Sequence, residues 1–480
     1  MTRHRVIPIL LALAGLSAAC APMGPNYKRP AVTPPPVYRG AVATPDQAKS
    51  VADLPWVEMF KDPVLSALIR EAIDNGLDLR QAVARVEEYR GRASLAGASL
   101  KPFVGADFST SGTPTTTKFD NFYSGTLFFN WEIDFFGRLR RASEAARAEL
   151  LSSEWGARAT MASLVSDVAQ TYVTLRSLDE QRDVIIRTIA SQEEWLDLVK
   201  KLDRGGVASG TEVAQATLQV TTTREQLPAV ERLIVQAENA LSVLLGRPPS
   251  QITRDTAGPT TLPTAPDIPA GLPSQLLERR PDIIAAEQEI HAAVARLGVS
   301  LASRIPVPRI GLTGAFGRVG TSLDDFFAGG DKAEGLVSIG PFIQMPLYDG
   351  GAGNARVRIA RAQAEQAALN YRQVILLSFR EVADSLVTIQ KLREQIAESE
   401  RRKAAATEYL RLTDLRYRGG VSSYLEVLDA QRSLFSAEID LAQLKGTQLG
   451  GVVELYRALG GGWSDEELKK IAEQPMTATQ

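Results

Sequence analysis

The sequence predicts a mixed α and β membrane protein built as two tandem copies of one structural unit, and three observations point there. The stretch "RGGVSSYLEVLDAQRSL", Arg418 to Leu434, echoes "RGGVASGTEVAQATLQV", Arg204 to Val220, 214 positions earlier, with eight of 17 residues identical and no gap. Each copy contains a pair of alternating apolar segments of ~10 to 14 residues, the length at which a tilted strand crosses a bilayer. Each strand pair is followed by a very long helical run that turns back on itself at the echoed glycines.

The chain opens with "MTRHRVIPILLALAGLSAAC": two arginines, an apolar core from Val6 to Leu16, small residues, then Cys20. This is a secretory signal over residues 1–19. Cys20 is the only cysteine, so neither a disulfide framework nor a thiolate metal site is expected. Its setting resembles a bacterial lipobox, which implies a diacylglyceryl group on the sulfur and an acylated N-terminus. Ser17 stands where that motif usually has an aliphatic residue, and Leu16 lies one place further off. Ala21, in place of Asp, implies sorting to the outer membrane. From Ala21 to about Ala52 proline favours an extended tether.

The first unit starts with a helix from about Val64 to Leu100. "KPFVGADFSTSGT" and "NFYSGTLFFNWEIDFF" follow as strands. In the second, Tyr123, Gly125, Leu127, Phe129, Trp131 and Ile133 share one face, while Ser124, Thr126, Asn130 and Glu132 lie on the other, interrupted by Phe122 and Phe128. From Arg138 to about Leu202 no proline occurs, and Leu164, Val168, Leu175, Leu178, Ile185 and Ile189 form a coiled-coil seam. At 1.5 Å per residue this helix is about 95 Å long. The turn "RGGVASG" sends a return helix to about Leu245, and Ser250–Leu272, rich in proline and glycine, is irregular. The second unit repeats the programme: a helix in "RRPDIIAAEQEIHAAVARLGVSLAS", strands "VPRIGLTGAFGRVG" and "GLVSIGPFIQMPLY", a long helix from Asn354 to Arg416, the turn "RGGVSSY" and a return helix to Leu459. Gly137 aligns with Gly351, Ile133 with Leu347 and Gly246 with Gly460, all at the same offset.

Composition excludes several functions. With 54 Lys and Arg against 56 Asp and Glu, and no basic run, nucleic acid is not an expected partner. No segment after the signal reaches ~18 apolar residues, which excludes helical spans but not a β-barrel. Once the signal and His4 are removed, His291 is the only histidine, on a helix as an ordinary surface or packing residue. With no P-loop, no GxSxG and a "GLTGAFGRVG" that fits a strand rather than a phosphate loop, an enzyme, a cofactor and a metal site are not expected.

Four strands with an apolar face cannot stand alone in lipid, because two open edges would leave backbone groups unpaired in hydrocarbon. Other copies must close them: two copies give eight strands with a filled interior, three give twelve with room for water. Each long helix paired with a return helix and a shorter one gives about four full-length staves per protomer. Three protomers therefore give twelve helices to match twelve strands, and a continuous tube.

The chain also resembles a family, the outer-membrane efflux factors of TolC/OprM type and their NodT-like lipoprotein branch. The resemblance rests on "CAPMGPNYKRP", "WVEMFKDPVLSALI", "WEIDFFGRLR", "LLERRPDI", "PLYDGG" and "YRGGVSSYLEVLDAQRSLF", and covers essentially the whole mature chain. It implies a homotrimer with a 12-stranded barrel, a 12-helix periplasmic α-barrel and an equatorial belt. It also implies a periplasmic adaptor and an inner-membrane pump, usually of the resistance-nodulation-division class, as partners, with outer-membrane lipid around the barrel. The expected divisions are 20–63 as tether and equatorial segment, 64–273 and 274–462 as repeats (strand pairs 102–135 and 306–348, turns 204–210 and 418–424), and 463–480 as a tail.

Two sets of candidate site residues follow. The turns Arg204, Gly205, Gly206, Val207 and Arg418, Gly419, Gly420, Val421 reverse the long helices, with glycines that permit backbone angles closed to other residues. The resemblance implies that they dock adaptor hairpins; the alternative is a plain turn. On the second return helix, Val427, Leu434 and Leu441 can form a packing seam, and Leu425, Asp429 and Arg432 share another face. The resemblance implies a periplasmic gate there, with Glu426 beside it, and the alternative is a surface ion pair between Asp429 and Arg432. The first copy has Thr211, Gln215 and Leu218 at those places. The expected function is an outer-membrane exit duct for small toxic molecules. Its rivals are a type I protein-secretion duct of the same fold, a coiled-coil envelope scaffold, which would not need two strand pairs, and a lipoprotein enzyme.

Overall fold

A computed structural model describes residues 22–39, 62–114, 119–254, 273–304, 306–328 and 334–473. The expected signal peptide, Cys20, residues 255–272 of the irregular segment and the last seven residues of the tail lie outside the described residues. The strands are β1 (Phe103–Pro114), β2 (Phe119–Ile133), β3 (Arg309–Gly320) and β4 (Glu334–Gln344). The helices are α1 (Pro63–Asn75), α2 (Leu77–Ala98), α3 (Arg138–Arg204), α4 (Gly210–Leu244), α5 (Pro273–Arg279), α6 (Pro281–Ala302), α7 (Leu323–Ala328), α8 (Ala352–Arg418), α9 (Tyr424–Ala458) and α10 (Asp465–Glu473). The chain divides into two compact units, each drawing on both sequence repeats: residues 1–32, 85–154 and 285–373 in one, and 33–84, 155–284 and 374–480 in the other.

The first unit holds one antiparallel sheet in the order β1-β2-β3-β4. Val104 pairs with Phe129, Leu127 with Phe316, and Phe316 with Val337, so these residues project from one face. That face is apolar yet open, with Phe316 at 65% and Val337 at 74% exposure. On the other face the hydroxyls of Ser109 and Ser124 lie 2.8 Å apart. β4 stops two residues short of Pro346, earlier than the sequence suggested, and it tolerates Pro341 because an edge strand has one side without a ladder to break. The short α7 between β3 and β4 was not anticipated. Its Phe326 meets Phe108 edge-on at 5.2 Å and fills the space over Gly125, where a Cβ would lie 2.6 Å from the ring.

In the same unit the residues after Cys20 are strapped down. Met23 N–H bonds to Phe136 O, the Arg141 guanidinium donates to Met23 O and Asn26 Oδ1, and Tyr27 donates to Glu287 at 3.0 Å. His291 is a packing residue: its ring stacks on Tyr27 at 4.8 Å and its Nε2 lies 3.0 Å from Glu144 Oε1.

In the second unit Asp62 caps α1, its Oδ1 accepting from Val64 N–H at 2.8 Å, with Pro63 at the first helical position. The single helix expected over 64–100 is two helices, α1 and α2. Gly76 breaks it at ψ 121°, where a Cβ would lie 2.5 Å from Ala72 O and 2.9 Å from Leu164 Cδ2. Along α3, Leu164, Val168, Leu175 and Ile185 are buried, as their spacing requires, and Leu178 and Ile189 are half-buried. Beyond α4, Arg254 pins the chain back with a bidentate pair to Asp179 (2.5 and 2.9 Å) and a bond to Glu238. Burial opposes the charge of Arg254, but these two carboxylates outweigh it and raise the guanidinium pKa.

Candidate gate and docking turns

The two hairpins, α3–α4 and α8–α9, reverse through the same backbone device. Gly206 (φ 74°) and Gly420 (φ 71°) take the left-handed conformation. Gly206 N–H bonds to Asp203 O and Val207 N–H to Leu202 O, and Gly420 and Val421 repeat the pattern on Tyr417 O and Arg416 O. This is a helix C-cap of Schellman type, in which only the second glycine of each pair needs the special angle. The expectation that all four glycines need it is corrected: Gly205 and Gly419 are not among the positive-φ glycines. Ser209 caps α4, its Oγ accepting from Glu212 N–H at 3.4 Å, while Ser423 makes no side-chain cap bond. Val207 and Val421 stand at 77% and 69% exposure.

Arg204 Nε donates to Lys200 O at 3.2 Å. Arg418 pairs with Asp414 and also lies over the Trp195 ring at 5.4 Å. The two turns thus share a backbone but differ in side chains.

On α9, Val427 and Leu428 are fully buried, and Leu425, Asp429 and Arg432 lie together on the exposed side. Asp429 Oδ2 accepts from the Tyr409 hydroxyl of α8 at 3.2 Å. Arg432 Nε donates to Gln219 Oε1 of α4 at 2.7 Å. Among the described residues no ion pair joins Asp429 to Arg432, so the surface pair considered from the sequence is absent. Each residue instead bonds to a different helix: Asp429 within its own hairpin, Arg432 across to the other.

Sequence reasoning missed the residues that hold the two hairpins together beside this face. Trp195 of α3 packs with Tyr424, Val427 and Leu428 of α9 and with Tyr417 of α8, the three rings lying 5.5 to 6.1 Å apart. The Tyr417 hydroxyl donates to Glu212 Oε2 of α4 at 3.3 Å. Burial first, and the Glu212 carboxylate second, push the Tyr417 phenol up to about 12, and burial does the same for Tyr424. One sequence signal pointed here: the two tyrosines flank the second turn where the first copy has Asp203 and Gly210.

An open apolar face on strands of membrane length, together with long paired helices ending in matched turns, defines the class as an outer-membrane efflux duct. Residues 68–247 and 272–461 match the outer membrane efflux protein family, and the chain belongs to it. It is 34% identical over 456 residues to the toluene efflux pump outer membrane protein TtgC of Pseudomonas putida, covering 92% of this chain and 93% of that protein. It is 33% identical over 473 residues to the cation efflux system protein CusC of Escherichia coli, covering 96% and 100%. Among solved structures it resembles the open state of the Neisseria gonorrhoeae MtrE outer membrane channel, at a TM-score of 0.81 and 29% identity over 92% of this chain and 98% of that one. The protein is an efflux channel of the outer membrane.

Proposed function

We propose that the channel is a homotrimer. In this reading four strands from each copy close a 12-stranded barrel, a 12-helix tunnel continues into the periplasm, and a belt surrounds it at the equator. The observation that carries the reading is the sheet itself, whose one face is apolar and open while β1 and β4 leave two unpaired edges. Acylated Cys20 adds a lipid anchor, a reading supported by its lipobox-like place after the apolar and small residues of the signal sequence. A periplasmic adaptor docks at the turns 204–207 and 418–421, supported by the exposure of Val207 and Val421. An inner-membrane pump of the resistance-nodulation-division class supplies small toxic compounds, the kind of cargo for which the toluene relative is named. Leu425, Asp429 and Arg432 form the periplasmic gate, Asp429 giving an acidic ring of three and Leu425 an apolar one.

Purified protein in a planar bilayer tests the reading. It should conduct ions in discrete single-channel steps, and a complete lack of conductance in both wild type and Asp429→Ala would contradict it.

A further inference from the structure

Phe128 interrupts the polar face of β2, and the pairing register shows what it joins there. It lies opposite Gly105 of β1 and Ala315 of β3, while Phe103 lies opposite Asn130, so both rings share the face that carries Asp107, Ser109, Ser124, Thr126 and Glu132. Phe342 belongs to the same face at the other edge of the sheet, opposite Gly311. In the barrel reading the apolar face turns to lipid, so this one lines the lumen.

Glycine lets the rings lie along the wall instead of projecting across the passage. A Cβ on Gly105 would stand 2.8 Å from Phe128 Cζ and 3.1 Å from Phe103 Cε1, and Gly311 likewise leaves no room for a Cβ beneath Phe342. The Phe103 and Phe128 rings are 6.0 Å apart, and Phe103 is 62% exposed. All three rings sit at the helix end of the sheet: β1 begins at Phe103, and β4 ends at Gln344, just past Phe342.

The charges on this face leave one carboxylate beside the rings. Glu132 is taken by Arg138, at 3.1 and 2.7 Å. Arg309 stands at the foot of β3 opposite Gln344, and Glu334 at the far end of β4. Asp107 follows Gly105 on the same face of β1, opposite Thr126, about 7 Å along the wall. It is exposed and, among the described residues, has no ion-pair partner. Exposed ring faces attract a cation and stack with another ring, and a carboxylate without a partner adds a full opposite charge next to them.

We propose that Phe103, Phe128 and Asp107 form a transit site on the inner wall for small organic cations that carry an aromatic ring. The proposal rests on the duct reading above and deepens it, by naming a class of cargo that touches the wall where the helices give way to the strands.

Single-channel recording of the full-length protein in a planar bilayer tests this, with two probes added on the extracellular side, away from Asp429. Benzyltriethylammonium carries a ring; butyltriethylammonium has the same charge and none. The benzyl cation should interrupt the wild-type current at concentrations where the butyl cation does not. Phe103→Leu with Phe128→Leu keeps the apolar bulk and removes the rings, and should raise the concentration for half block by the benzyl cation about tenfold. Asp107→Asn should raise it as well. The proposal is overturned if the two cations act alike on wild type, if neither blocks a channel that conducts, or if the leucine variant is blocked as readily as wild type. Rings that only cover glycines would give that last result. A wild-type protein that does not conduct at all would remove the duct reading itself, which separates the two failures.

Discussion

Tyr417 of the second hairpin donates its phenolic hydrogen to Glu212 of the first, 205 positions away in sequence, across a junction of aromatic and aliphatic side chains. The bond joins the ends of the two hairpins near the exposed Leu425, Asp429 and Arg432 face and the turn that carries Arg418. Removing the hydroxyl with Tyr417→Phe should cost about 1 kcal/mol, the usual net worth of such a bond. The effect should depend on pH in a set direction. The folded pKa of about 12 lies above the ~10 of a free tyrosine, so the stabilisation is complete below pH ~10 and is lost as pH rises through about 12. Thermal unfolding of wild type and Tyr417→Phe should differ at neutral pH, and the advantage of wild type should shrink as pH rises from ~10 toward about 12.

Asp429 is held by Tyr409 and Arg432 by Gln219. Asp429→Ala or Arg432→Ala should each raise single-channel conductance by loosening the closed arrangement. A trivalent cation added on the periplasmic side should block wild type more strongly than Asp429→Ala, because in the proposed trimer three carboxylates would ring one axis and attract it. Equal conductance and equal block would leave Asp429 an ordinary surface residue.

Val207 and Val421 are the exposed apolar points of two matched turns. Replacing both with glutamate should stop export in cells while the amount of folded protein in the outer membrane stays the same, because neither side chain supports the fold. Export at the wild-type rate would argue against docking through these turns.

Cys20→Ser should abolish incorporation of radiolabelled palmitate while assembly persists, since in the proposed barrel the strands would anchor the protein without the lipid. Labelling that survives the substitution would exclude Cys20 as the acylated residue.

Much of the fold was legible because its punctuation is repeated. Gly137 with Gly351, Gly206 with Gly420 and Gly246 with Gly460 recur at one offset, and all six adopt positive φ. Their spacing marked where helices begin, reverse and end, and the buried seam of α3 followed from heptad spacing. The shared exposed face of Leu425, Asp429 and Arg432 was legible too, because spacings of i, i+4 and i+7 put them on one side of the helix, roughly opposite buried Val427. Their partners were not. Gln219 and Trp195 meet α9, and Glu212 meets Tyr417 of α8, only after the two hairpins pack, and nothing in local spacing pairs Glu212 with Tyr417 rather than with a neighbour on α4. The break at Gly76 was hidden for a similar reason: a glycine within a helical pattern is often tolerated, and only the closeness of Leu164 makes this one obligatory. The short α7 was unreadable because Phe326 is placed by contact with Phe108 on another strand.

The most direct test of the duct is the native mass of the protein in mild detergent, read together with its circular dichroism and its gel mobility before and after boiling. Four strands with two open edges need other copies to close them, three copies leave room for water inside, and a monodisperse trimer that keeps its β signal and shifts in mobility on heating is the expected result. A monodisperse single chain that retains the same β signal would contradict it.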